Sequence, residues 1–316
     1  MKLLTCFALW CLCAVALQAQ VDLLEYRPKV IEIGYRGFSN YQSTSMNANG
    51  ENEFISDQLL TVRLGIPIVL REKSLFGVQL KYYRQSYNTA FIPQSDENIY
   101  RYLNQERLIN TGLNFLYQRN LSDTKKLVLL GVTELASDTR YLNRYSGRYY
   151  VAGSYNTKKR EDLELGYGLV VNYALGVLNI YPTFTYNRAL SAKAMIEATL
   201  PSFISLRYHV SDKSYFIAKA MYDNWRYNVT DAIDQQQSQL TLQRADFLFN
   251  VTYEQEVYDW LWLATEVSYV NNVAYIVSLP GERLNNPLQE YKLKDAAYLK
   301  FSVFIVPPEK LWKKVK

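Results

Sequence analysis

The chain has 316 residues and carries 35 Lys and Arg against 30 Asp and Glu, a net charge of +5 that is modest for its length. No basic tract with interleaved aromatics is present, so nucleic acid is excluded as a partner. Cys6, Cys11 and Cys13 all lie in the opening segment, and no later apolar run reaches the length of a membrane-spanning helix, which excludes a disulfide scaffold, a thiolate metal site and a helical membrane protein.

Lys2, the apolar run Leu3 to Leu17 and Gln18-Ala19-Gln20 read as a secretory signal peptide over 1–19, because the run is shorter than the ~20 residues a spanning helix needs. A linker over 20–29 ends near Arg27-Pro28. The first expected strand, Val30 to Tyr41, sets Ile31, Ile33 and Tyr35 against Glu32, Gly34 and Arg36. After a polar loop from Gln42 to Gln58, Leu60 to Leu70 repeats the pattern, with apolar side chains at even positions and Arg63 and Gly65 between them. Arg71 to Ser74 is a tight turn into a strand with Lys81 on its polar face, and a long segment, Asn88 to Leu108, leads to the next, Ile109 to Gln118.

Strand five, Leu127 to Leu135, carries Glu134, and the longest expected loop, Ser137 to Asp162, separates it from strand six, which carries Glu164. A minimal turn near Leu175 to Val177 gives strand seven, where Pro182 argues for an irregularity. Strand eight is read as continuous from Met195 to His209, with Arg207, and strand nine carries Lys219. Strand ten offers Arg244 and Asp246, strand eleven Glu266 and strand twelve Lys300; Pro307-Pro308 ends the last, since neither proline can donate to a ladder.

About twelve antiparallel strands joined alternately by long polar loops and short turns make the expected fold all-β, a single transmembrane β-barrel over 30–306 with a basic tail over 307–316. Long connections would be extracellular and short ones periplasmic. Tyr, with 28 copies, suits the boundary between lipid and water. Glu32, Arg36, Arg63, Lys81, Glu134, Glu164, Arg207, Lys219, Arg244, Asp246, Glu266 and Lys300 would then face the lumen. They would either line a channel with a slight preference for anions or pair and fill a closed barrel.

His209 and Ser211, two residues apart, resemble the His-x-Ser of the outer-membrane phospholipase, although Asp212-Lys213 stands where that enzyme has Asn-Gly and the pair falls at a periplasmic turn. Catalysis is not expected from it. Arg140, Arg144 and Arg148 recur every fourth residue and would share one face of a helix able to hold lipopolysaccharide phosphates, if that loop were helical. No phosphate loop, HExxH or EF-hand pattern is present, so no metal and no cofactor is expected.

Leu200-Pro201-Ser202-Phe203-Ile204-Ser205-Leu206-Arg207-Tyr208, followed by Ser211-Asp212-Lys213-Ser214, resembles an uncharacterised family of Gram-negative outer-membrane barrels classed as a domain of unknown function. The resemblance implies an outer-membrane location, with membrane lipid and the barrel-assembly machinery as partners. It implies no active site. The expected roles are therefore a passive channel for small polar or anionic solutes, a non-conducting structural or surface-interaction barrel, and a lipid-modifying enzyme, in that order.

Overall fold

The computed structural model describes residues 29–45, 51–71, 73–90, 98–138, 144–174, 177–230, 239–282 and 287–307. The signal segment, all of the linker except Lys29, and the tail beyond Pro307 lie outside the described residues. Sixteen strand segments and one short helix follow in chain order. They are β1 Ile31–Phe38, β2 Tyr41–Ser45, β3 Glu51–Arg71, β4 Ser74–Ala90, helix α1 Asn98–Gln105, β5 Leu108–Ser122, β6 Lys125–Asp138 and, after a 3-10 turn at Arg144–Ser146, β7 Gly147–Arg160. The remainder are β8 Leu163–Ala174, β9 Val177–Ala189, β10 Ala194–Leu200, β11 Phe203–Ser211, β12 Ser214–Thr230, β13 Gln239–Tyr258, β14 Leu261–Ser278, β15 Gln289–Leu293 and β16 Ala296–Ile305.

All belong to one sheet that closes on itself. β1 pairs with β16 from Ile31–Ile305 to Phe38–Tyr298 and with β3 from Ile31–Leu64 to Gly37–Gln58. β1 and β2 are one wall strand interrupted at Ser39-Asn40, since both pair with β3; β15 and β16 are likewise one, since both pair with β14. The wall is therefore an antiparallel barrel of 14 strands. Closure leaves the wall no open edge, which is the condition for a sheet to stand in hydrocarbon. No helix among the described residues is long and apolar enough to cross a membrane.

The outer face is apolar along a belt. Ile33, Ile66, Val151, Ile180, Phe249 and Phe301 all expose half or more of their surface. In water each would cost about 1.5–3 kcal/mol relative to burial, and hydrocarbon removes that cost. Aromatic pairs edge the belt: Tyr222 with Phe247 at 5.4 Å and Tyr149 with Tyr173 at 6.0 Å on one side, Phe216 with Tyr253 at 5.0 Å on the other. Phe216 and Tyr222 are about 20 Å apart along β12 at roughly 3.3 Å per residue, close to the height of an outer-membrane apolar band.

The strand count corrects the expectation of about twelve in two places. The stretch read as a loop from Ser137 to Asp162 contains β7, paired with β6 from Lys125–Thr157 to Leu135–Gly147 and with β8. The strand read through from Met195 to His209 is two, because the chain turns at Pro201-Ser202 and β10 pairs back onto β11. Each extra reversal flips the chain, so the turn near 175–177 belongs to the end with the long loops and not to the periplasmic end. β9 also runs through Pro182, opposite Leu169, with no register shift, so the irregularity expected there is absent.

Above the apolar belt the barrel narrows. β12 continues past its last partner on β11, Met221–Phe203, and bends across the mouth until Asn228 meets Ser137 of β6 in a parallel bridge. Ser137 Oγ donates to the Asn228 carbonyl at 3.0 Å, and the Thr230 amide donates to Asp138 Oδ2 at 2.7 Å. The upper ring thus runs through β2 to β6 and β12 to β15, bypassing β7 to β11. It is filled: Phe54, Tyr275, Leu242 and Val277 meet the fully buried face of α1, made of Ile99, Tyr100 and Leu103. That spacing puts three apolar side chains on one side of a helix, and the reciprocal bonds between Asn104 and Thr89 (2.6 and 3.1 Å) fasten it to β4.

Candidate functional site

Alternation along each strand sends the charged residues inward, where they meet partners from neighbouring strands. Glu32 accepts from Arg63 at 3.2 Å and from Lys300 at 3.5 Å, and Arg63 Nε also donates to the Tyr83 hydroxyl at 2.8 Å. Glu134 receives Lys81, the Asn110 amide at 2.8 Å and Arg148 at 3.6 Å. Glu164 pairs with Lys126 at 3.0 Å, and Arg207 with Glu197 at 3.0 Å. Glu266 accepts from Thr252 at 3.1 Å and Tyr298 at 2.6 Å; Arg36 lies over the paired rings of Phe38 and Tyr298, and Lys219 over that of Phe203.

Higher up, Arg244 is 2% exposed and pairs with both Asp57, at 3.2 Å, and Asp246, at 2.7 Å, while its Nη1 also donates to the Tyr41 hydroxyl at 3.1 Å. Gln85 donates to the other oxygen of Asp57. On α1, burial and a hydrogen bond to Asp138 raise the Tyr102 hydroxyl well above its ordinary pKa, so it remains a donor to that carboxylate.

The twelve inward candidates are thus distributed among several clusters and do not form one charged ring. Lys29, Asp57, Tyr83, Lys126, Glu197, Asp223, Arg226 and Glu254 also contribute to the interior, although none stood out in the sequence. Asp57 and Asp223 sit in stretches that read as polar loops, where alternation gives no face.

Two cavities among the described residues border this wall. The larger, about 760 Å³, lies where β7 to β11 end below the bent β12–β13 hairpin, and Glu134, Arg148, Asn172, Asn179, Asp223 and Arg226 line it. The smaller, about 330 Å³, lies at the opposite end of the same wall, among Lys73, Lys125, Lys126, Asn156, Lys158 and Glu164. Between them the inward positions of β7 and β8 are Ala152, Ser154, Gly166, Gly168 and Val170, of which Val170 is the one larger side chain and is fully buried. Gly168 has no room for more, since a Cβ there would come within 2.2 Å of the Gly153 carbonyl.

Of the three loop arginines, the two described, Arg144 and Arg148, do not share a helical face. Arg148 belongs to β7 and pairs inward with Glu134, Arg144 opens the 3-10 turn, and Arg140 lies outside the described residues. The spacing of four therefore spans a turn and a strand, whose geometry separates the residues. His209 packs edge-to-face on Tyr215 at 4.5 Å, Ser211 Oγ shares a 2.7 Å hydrogen bond with Ser214, and the register shifts between the two positions. Tyr215 continues through Trp262 to Phe304, an aromatic floor at this end. No group of His, Cys, Asp and Glu able to hold a metal occurs among the described residues.

A family model described as a domain of unknown function, DUF6268, matches residues 15–257. No curated protein matches the chain. Among solved structures it is similar to the TodX deltaS2S3 mutant, a monoaromatic hydrocarbon channel, at TM-score 0.42 and 8% identity, covering 87% of this chain and 89% of that one. It is also similar to the transport unit of the autotransporter AIDA-I from Escherichia coli, at 0.40 and 12%, covering 95% and 97%, and to an outer membrane channel from Pseudomonas putida F1, at 0.38 and 11%, covering 90% and 99%.

Proposed function

The chain belongs to the DUF6268 family, and because that family has no assigned function we propose one from the barrel itself: a passive outer-membrane channel for small polar or anionic solutes, exported by the segment 1–19. The outer membrane is the location that suits a closed barrel with an apolar belt edged by aromatics and a charged interior. Export predicts a mature chain beginning at Gln20, read from the mass of the protein extracted from outer membranes. A soluble periplasmic form with no heat-modifiable migration would rule out membrane insertion.

One observation carries the channel reading. These two cavities lie at opposite ends of the same strands, β7 and β8, with mostly small inward residues and Val170 between them, whereas ion pairs and aromatic rings occupy much of the interior elsewhere among the described residues. A solute path would run off the axis along this wall, entering at the periplasmic end past Lys73, Lys125 and Lys158, whose charge favours anions. Purified protein in planar bilayers should give stable stepwise currents, with a reversal potential displaced toward that of chloride in a potassium chloride gradient. A silent bilayer from correctly folded protein would instead support the second reading, a non-conducting barrel, which the buried Arg244 network and the α1 cluster favour. For the enzymatic reading, His209→Ala and Ser211→Ala should leave any phospholipase activity of the preparation unchanged.

A further inference from the structure

Residues of both faces of the wall line the larger cavity. Glu134 and Arg148 point inward, but Tyr149 and Phe247 also line it, and these are 51% and 47% exposed on the outer face, with Tyr222 beside them. Residues on opposite faces of a sheet can border one cavity only where the sheet stops. It stops here: the last bond between β12 and the β10–β11 turn runs from the Tyr222 amide to the Ser202 carbonyl, at 3.0 Å. Beyond it, among the described residues, β12 pairs with no strand on that side until Asn228 reaches Ser137. The gap lies at the height of Tyr149, Tyr173, Tyr222 and Phe247, where aromatic girdles meet lipid headgroups.

The lining combines charge with aromatic surface. Arg148 approaches from β7 and Arg226 from β12. Glu134 lies nearby but is already shared with Lys81 and Asn110, and Arg148 is its longer contact at 3.6 Å. Guanidinium groups suit a carboxylate, sulfate or phosphate group through paired N–H donors. Glu134 and Asp223 share the wall, which disfavours a polyanion. The volume of about 760 Å³ falls in the range of small-molecule sites.

We propose that this gap is a lateral portal and binding site for an amphipathic organic monoanion, whose charged head meets Arg148 and Arg226 and whose apolar part lies against Tyr149 and Phe247. The proposal rests on the channel reading for its role in transport, but the site stands or falls separately. Full-length mature protein in lipid nanodiscs would be titrated with 1-pyrenebutyrate, with 1-pyrenebutanol, and with inorganic phosphate as competitor, by pyrene fluorescence. The carboxylate should bind at least about tenfold more tightly than the alcohol, equivalent to ~1.4 kcal/mol, and phosphate should not displace it. The double variant Arg148→Gln with Arg226→Gln should lose that preference, while Arg148→Lys with Arg226→Lys should keep most of it. Ser202→Trp, at the mouth, should slow association severalfold.

Equal affinity for acid and alcohol, an undiminished preference in the Gln variant, or displacement by phosphate would overturn the site. Association unchanged in Ser202→Trp would overturn the lateral entrance. Potassium chloride conductance on the same protein separates the two readings: current without acid preference removes only the site, and acid preference without current removes only the channel.

Discussion

At Arg244 a guanidinium with 2% exposure is held by Asp57, Asp246 and Tyr41, so its charge has been taken out of water and its partners with it. Such a group contributes little net stability compared with an apolar replacement of the whole set, but losing one member leaves the others buried and uncompensated. Asp57→Ala should therefore destabilise the folded barrel by about 3–5 kcal/mol, measured as a lower urea midpoint for loss of the heat-modifiable form. A change below about 1 kcal/mol, the range of exposed pairs, would mean that water reaches the network. Arg63, 36% exposed at its side chain, should be more forgiving: Arg63→Gln leaves Glu32 with Lys300, and the loss should stay near the range of exposed pairs. Tyr102→Phe removes one of two donors to Asp138 Oδ2 and leaves the Thr230 amide, so it should cost about 0.5–1.5 kcal/mol, read by the same melt.

At the level of elements, the strands with a lipid side were legible and those without one were not. Leu60 to Leu70, β5 and β16 show the period of two because one face meets hydrocarbon and the other meets charge. β2, the first residues of β3, the last of β12 and β14, and β15 stand in the upper ring, where the faces are inverted: in β15 Tyr291 and Leu293 are buried inside while Glu290 and Lys292 are exposed, so the lipid-facing ladder is absent and the stretch reads as a loop. β7 was hidden for a related reason: Tyr149 and Tyr155 face out, Tyr150 faces in, and Gly153 and Ser154 dilute the contrast. Position 201 carried the clue to the missed turn, since proline has no amide for the ladder. Of the interior, the charges on alternating strands could be placed in advance, whereas Asp57, Asp223 and Arg226, which complete the clusters, could not. The belt itself is testable: Phe249→Arg, near mid-height on β13, should cost about 2–4 kcal/mol in unfolding from lipid vesicles. The same substitution at Tyr258, at the end of the strand, should cost no more than about 1 kcal/mol.

Over the whole molecule, two barrels share one chain: a wall of 14 strands and, above it, a smaller ring closed by α1 and its aromatic neighbours. Filling the ring blocks the axis and leaves the side open. Replacing Asn98–Gln105 with a Gly-Ser linker of equal length should therefore raise conductance severalfold while heat-modifiable migration persists. An unchanged current in that variant would mean that the aromatic ring closes the mouth without its helix.

The bridge between Asn228 and Ser137 joins residues 91 apart in the chain, and β7 to β11, which lie between them, shorten that separation once they are in the wall. Contacts of such long range carry a loop-closure cost that only prior structure can reduce. The bridge is thus expected late in assembly, once β7 to β11 have brought β6 and β12 within reach of each other. Cysteines placed at Ser137 and Asn228 should cross-link late during insertion, after protease resistance of the wall has appeared, and a cross-link that forms first would reverse the sequence of events.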